Sequence, residues 1–257
     1  MNTERPLQGL HIAVTRPMAQ AQSLCRTIAA QGGTPIPYPL LAVTAIDDYA
    51  QFNQQLTKLA TTDWAIFISS NAVDFAMPRV VEHYPKLPSQ LQFAAIGPQT
   101  AEALAPYGVD KVLIPHQRYD SETLMSLPEM QNVAGKTVMI FRGVGGRELM
   151  GDTLKARGAQ VYFAESYQRI NPQTDTRLLD HYWQQGKLDA LVVTSSEAMR
   201  YLLILADKAP WLALVTLCVN HERIAELPKA HGLKVLVAEA PGDAAMMQCL
   251  STLNVSS

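Results

Sequence analysis

Short polar stretches that close an apolar run and open a helical pattern recur along this chain. They are Thr15-Arg16-Pro17, Ser69-Ser70-Asn71, Gly97-Pro98-Gln99-Thr100, Arg142-Gly143-Val144-Gly145-Gly146-Arg147 and Thr194-Ser195-Ser196. Residues of these types, so placed, suit the binding of an anion. The free N–H groups at a helix start and the helix dipole both favour negative charge. Glycine admits a close approach to the backbone, and Ser and Thr hydroxyls add donors. The guanidinium groups of Arg16, Arg142 and Arg147 can pair with carboxylates. Ser, Thr and Asn also cap helices whatever a protein does, so the set carries the expectation and no single turn does. RGVGGRE is neither GxGxxG nor a Walker loop, and Arg147 would crowd a pyrophosphate, which disfavours a nucleotide.

Other chemistry finds little support. There is no HExxH and no GxSxG, and His11, His83, His116, His181, His221 and His231 lack metal-ligand spacing, so no metal is expected. His221, near a helix start, suits a surface role. Cys25, Cys218 and Cys249 are odd in number and far apart, which fits buried apolar thiols in a reducing cytoplasm rather than a disulfide framework. Asp63 and Asp189 precede strands, at the edge opposite the polar turns. A net charge of -2 offers no global field for nucleic acid. No apolar run reaches the roughly 18 residues of a membrane span, and the first residues lack the pattern of an export signal.

The elements that must position these turns follow from hydrophobic periodicity. Strands are expected over His11–Thr15, Trp64–Ser69, Gln92–Ile96, Lys111–Ile114, Thr137–Arg142, Gln160–Ala164, Asp189–Thr194, Ala213–Val219 and Lys234–Val237. Several are continuous in Val, Ile, Leu and Ala, as strands covered on both faces are. Helical patterns lie between them, such as the stretch from Pro17 to Ala30, closed by Gly32 and Gly33. The alternation predicts an α/β fold with parallel, doubly wound sheets, and this many strands favours two of them.

An internal repeat supports two similar domains. GLHIAVTRPMAQAQSLCRTIAAQGG matches GKTVMIFRGVGGRELMGDTLKARGAQ, with Arg16 on Arg142, and DWAIFISSNAV matches DALVVTSSEAM, with Ser70 on Ser196, both at an offset of 126. A weaker match of IGPQTAEAL with VNHERIAEL sets Thr100 against Arg223 at an offset of 123. TPIPYPL forbids helix and reads as an extended crossing, and ESYQRINP is a second. One domain is therefore expected at residues 1–37 plus 171–257 and the other at 40–167, joined by linker strands at about 34–41 and 165–171, with a ligand cleft between them. In this arrangement the first strand–helix unit joins the C-terminal half.

FISSNAV, AIGPQTAEAL, GKTVMIFRGVGGRELMGDTLKARGAQV, ESYQR and VVTSSEAM, in this order and spacing, resemble uroporphyrinogen-III synthase, from VTRP near the start to PGDAAMMQCL near the end. The resemblance implies two α/β domains joined by two strands. It also implies a lyase without metal or organic cofactor that acts on the linear tetrapyrrole hydroxymethylbilane. Loss of the terminal hydroxyl gives an azafulvene cation, attack on the last ring gives a spiro intermediate, and re-closure inverts that ring. By the same resemblance, Tyr167 in ESYQR is the catalytic candidate and Thr100 lies at the substrate site. Arg223 stands where many members keep a threonine and would suit a carboxylate. The implied partners are the tetrapyrrole and a transient hand-over from hydroxymethylbilane synthase, with no nucleic acid, no membrane and a monomeric chain. From the residues alone, a two-domain protein that closes on an anionic small molecule without chemistry is the competing class.

Overall fold

Residues 5–116 and 118–253 are described by a computed structural model. Its strands are β1 (His11–Val14), β2 (Thr34–Pro37), β3 (Ala42–Ala45), β4 (Trp64–Phe67), β5 (Gln92–Ala95), β6 (Val112–Leu113), β7 (Thr137–Gly143), β8 (Gln160–Ile170), β9 (Ala190–Val193), β10 (Thr216–Val219) and β11 (Val235–Val237). β4 and β9 are buried at every position, as apolar runs with helices on both faces require. The strands form two sheets, ordered β11-β10-β9-β1-β2 and β3-β8-β7-β4-β5-β6. The chain divides into two compact units, one up to Ala42 and again from Ile170, the other Val43–Arg169.

Each unit has a core on both faces of its sheet, because successive side chains of a strand point to opposite sides. Ala13, Leu191, Val193 and Leu217 pack on one face of the first sheet, and Ile12, Val14, Val192 and Cys218 on the other. In the second sheet Phe67, Met139 and Phe141 oppose Ile66, Val138 and Ile140 in the same manner. Phe67 and Phe141 stack with centroids 4.4 Å apart.

The repeat persists down to strand register. β1 pairs parallel with β9, Ile12 opposite Ala190, and β7 pairs parallel with β4, Val138 opposite Trp64. β1 sets His11 against Thr34 in β2, while β7 sets Thr137 against Gln160 in β8. Every residue of one set lies 126 positions from its counterpart. The entry of each central pair is fastened the same way. Asp189 Oδ2 accepts from the His11 N–H at 2.7 Å, and Asp63 Oδ2 from the Thr137 N–H at 2.8 Å. The Thr137 N–H, aided by Lys136 Nζ at 3.0 Å, holds the Asp63 carboxyl below the usual carboxylate range.

The segment expected as a linker strand over about 34–41 is extended from its start, where it forms β2, an edge strand of the five-stranded sheet. Pro35 and Pro37 are tolerated there because an edge leaves one side of the ladder unpaired. The strand expected to stop at Ala164 continues to Ile170, since pairing with β7 and β3 carries the polar residues beyond the apolar run. β3 itself is short and only partly buried, so no sequence pattern announced it.

After β2 the chain stays anchored to its own unit. The Tyr38 N–H donates to Val14 O (2.9 Å) and the Leu40 N–H to Thr15 O (3.0 Å). The buried Tyr38 hydroxyl donates to the Asp175 carbonyl at 2.6 Å. Burial, with the Asp175 and Asp180 charges, pushes this phenol from 10.0 up to about 12. The folded state thus keeps a proton that the unfolded chain gives up first. The phenol's contribution is present below about pH 10 and lost as pH rises towards 12. We expect Tyr38→Phe to lower stability by about 1 kcal/mol at pH 8. The gap to wild type should narrow in chemical denaturation between pH 10 and 11.5, and a gap independent of pH would contradict this assignment.

Candidate functional site

Parallel pairing places all carboxyl ends of a sheet at one edge, so the polar turns of each unit collect there. In the second unit the centre of this edge is Tyr167. Arg142 of β7 faces Glu165 of β8, but the next residue, Gly143, faces Tyr167, leaving Ser166 as an extra residue in the ladder. Such a bulge re-aims the side chain that follows. The ring of Tyr167 then lies directly over Gly143, where an added Cβ would come within 2.5 Å of it, so only glycine fits. The Val144 N–H donates to Tyr167 O at 2.8 Å, and Phe75 packs beside the ring at 5.9 Å. The phenol meets the Ser69 hydroxyl at 3.2 Å. Ser69 in turn caps the helix Ser70–His83, its Oγ accepting from the Ala72 N–H at 3.1 Å. Either hydroxyl can donate in this pair, and the Tyr167 side chain is buried in the apolar core of the unit.

Arg16 and Arg142, assigned to the substrate from sequence, are both bonded within their own units. Arg142, only 3% exposed, donates to Gly146 O at 2.7 Å and lies 3.1 Å from Glu148 and 3.3 Å from Glu165. Its guanidinium also covers the Phe163 ring at 4.4 Å. The pocket beside it, about 490 Å³, is lined by Asp47, Asp48, Glu148 and Glu165, which would repel carboxylate arms. Arg16 Nη1 pairs with Asp243 at 2.5 Å and its Nε donates to Thr194 Oγ1 at 3.3 Å. Sequence spacing could not have found Asp243, which lies 227 residues from Arg16. Arg147 is on the surface, 83% exposed and 3.9 Å from Glu122.

The remaining candidates sit at helix starts. Pro17 precedes the helix Met18–Ala30, and Gly97 precedes Pro98–Leu104. Gly97 lies against Tyr119, whose Cβ would be 3.2 Å from an added side chain. Ser70 and Asn71 open the helix that Ser69 caps. Ser195 caps Ser196–Leu205, its Oγ accepting from the N–H groups of Glu197 and Ala198 at 3.2 and 3.3 Å. His221 caps Glu222–Ala230, its Nδ1 accepting from the Arg223 N–H at 3.1 Å.

These caps correct the pairing of Thr100 with Arg223. β5 and β10 are offset by 124, as are the caps Gly97 and His221. The buried positions Thr100 and Leu104 then fall on the buried Ile224 and Pro228, while the exposed Arg223 matches the exposed Gln99. The earlier offset of 123 moved one helix face by a residue.

Among the described residues no group of three or more His, Cys, Asp or Glu side chains could hold a metal ion. Cys218 and Cys249 lie in the apolar core of the first unit, where mutual contact and burial push the Cys218 thiol up. Among the described residues no helix is long and apolar enough to cross a membrane.

Residues 22–248 match the family model described as uroporphyrinogen-III synthase HemD. Uroporphyrinogen-III synthase of Escherichia coli (strain K12) is 36% identical over 245 residues, covering 94% of this chain and 100% of the relative. The enzyme of the same name from Salmonella typhimurium is 34% identical over the same shares. Among solved structures, a mutant uroporphyrinogen III synthase from the extremely thermophilic bacterium Thermus thermophilus superposes with a TM-score of 0.60 at 17% identity, covering 97% of this chain and 100% of that one. Uroporphyrinogen-III synthetase from Helicobacter pylori 26695 gives 0.56 at 14%, covering 96% and 99%. At these identities the two structures show the two-domain α/β fold alone.

The geometry gives Arg142 a structural part. Replacing it with methionine leaves three carbonyls and two carboxylates without this donor, and we expect a stability loss of about 1–3 kcal/mol. The Michaelis constant for the anionic substrate should change little. An unchanged melting temperature with a raised Michaelis constant would return Arg142 to the substrate.

Proposed function

This chain belongs to the uroporphyrinogen-III synthase family, and from that premise we propose that it converts hydroxymethylbilane into uroporphyrinogen III with inversion of the last pyrrole ring. The family match across residues 22–248 carries the proposal. The reaction is a loss of water followed by ring closure. An azafulvene cation attacks the substituted carbon of the last ring, and the resulting spiro intermediate fragments and re-closes. The uncatalysed cation closes to isomer I, so the protein's task is to make the inverted closure the near one, which positioning and a preorganised field can do.

Tyr167 is the proton donor in this proposal. With the Ser69 hydroxyl 3.2 Å away and able to donate to its oxygen, the phenol can pass its own proton to the departing hydroxyl, which leaves as water. The phenolate recovers a proton when the closing ring loses one. N–H groups of Ser70, Gln99 and Ser196, in the first turns of their helices, take carboxylate arms. Asn71, Gly97 and Thr194 shape those starts, Thr100 packs beneath one of them, and Pro17 opens the helix Met18–Ala30. The enzyme works as a monomer in the cytoplasm and receives its substrate by transient hand-over from hydroxymethylbilane synthase.

The test is a coupled assay in which hydroxymethylbilane is generated in situ and the oxidised products are separated as isomers I and III. Catalytic formation of isomer III is expected, and isomer I alone from folded protein would defeat the proposal. Tyr167→Phe should lower turnover on the order of 10²-fold, the lower end for a lost general acid. Ser70→Ala should cost far less, and equal losses would remove Tyr167 from the proton transfer.

A further inference from the structure

The helices Ser196–Leu205 and Glu222–Ala230 enclose a pocket of about 440 Å³ lined by Ser196, Arg200, Arg223, Ile224 and Glu226. Ser196 opens one helix and Arg223 stands in the first turn of the other, so the pocket lies at the carboxyl edge of β9 and β10. Both arginines are exposed, and among the described residues neither lies within 4.0 Å of a carboxylate oxygen. The Ser196 hydroxyl is a buried polar atom with no hydrogen-bond partner. Two guanidinium groups thus line one concavity, with the unsatisfied Ser196 hydroxyl buried beside it.

The fold gives no structural reason for these cations. Arg223 stands in the first turn of its helix, where the dipole disfavours positive charge, and the two arginines of one pocket repel each other. A bound anion removes both penalties. The internal repeat supplies a control within the same molecule. Ser196 corresponds to Ser70, Arg200 to Asp74, Arg223 to Gln99, and Glu226 to Glu102. The same scaffold is therefore cationic in the first unit and acidic in the second.

Resting on the uroporphyrinogen-III synthase proposal above, we infer that Arg200, Arg223 and Ser196 form a carboxylate subsite that engages one arm of the tetrapyrrole in the first unit only. The arm accepts hydrogen bonds from both exposed guanidinium groups, with the buried Ser196 hydroxyl behind them and Glu226 on the rim. The second unit's copy of this scaffold carries Asp74 and Gln99 in place of the two arginines, so the cationic subsite belongs to the first unit.

The probe is uroporphyrin III, the oxidised octacarboxylate of the product, followed by fluorescence anisotropy on the full chain, with melting temperatures and isomer assays in parallel. Arg200→Gln and Arg223→Gln should each weaken porphyrin binding about tenfold, one lost charge-assisted hydrogen bond apiece, and raise the Michaelis constant more than they lower turnover. Asp74→Asn should leave affinity unchanged. Melting temperatures should hold or rise, and lysine at either position should restore part of the binding. Unchanged affinity in the double glutamine variant would overturn the subsite. So would lost binding with a lowered melting temperature and no rescue by lysine, which would make the arginines structural. If the wild type forms only isomer I, the function proposal falls, and porphyrin affinity in these variants still decides the subsite.

Discussion

Everything at the candidate site depends on the register between a central strand and the strand beside it, β4 with β7 and β9 with β1. A slip of one residue would turn every side chain to the opposite face, moving Phe141 out of its stack on Phe67 and Arg142 out of its ring of acceptors. The register is set at the entry of each pair, where an aspartate ahead of one strand binds the first N–H of the next. Asp63 and Asp189 are thus far from the polar turns and still decide where those turns stand. Their depressed or paired carboxylates belong to architecture rather than to acid–base chemistry.

The bulge at the end of β7 breaks that register locally. By leaving Ser166 unmatched, it turns Tyr167 over Gly143 and brings its hydroxyl to Ser69. The same loop wraps carbonyls around Arg142, and Glu148 and Glu165 supply the opposite charge from within the folded unit. A buried guanidinium satisfied in this way holds a loop in shape, whereas an arginine meant for a ligand must keep donors open. Arg142 and Arg200 stand on opposite sides of that distinction.

Period and composition made much of this legible. The apolar runs of β4, β7 and β9 declared buried parallel strands, and the offset of 126 declared the duplication that the strand registers repeat residue for residue. Ser69 and Ser195 were recognisable as helix starts, and both cap. What sequence could not supply was long-range pairing. Nothing in Arg16 points to Asp243, and nothing in RGVGGRE says that its first arginine turns inward. The match of Thr100 with Arg223 failed for a related reason: a short string aligns as well at 123 as at 124, and strand register, the caps Gly97 and His221 and the burial of Thr100 and Ile224 separate the two. Arg200 passed unnoticed because an exposed arginine on an amphipathic helix is ordinary until its pocket is seen.

A duplicated scaffold separates what folding needs from what a ligand needs. Positions with structural work hold the same chemistry in both copies: aspartates at the strand entries, serine caps at the helix starts, and arginines closed by internal carboxylates. Where the copies differ, folding has left room. Tyr167 corresponds to Leu41, so one copy carries the phenol and the other an apolar residue, while Arg200 and Arg223 correspond to Asp74 and Gln99. A reaction that inverts one ring among four similar ones needs the ends of its substrate to be told apart. The two copies of the fold have parted in side chain at these positions, which carry the phenol in one unit and the cationic pair in the other.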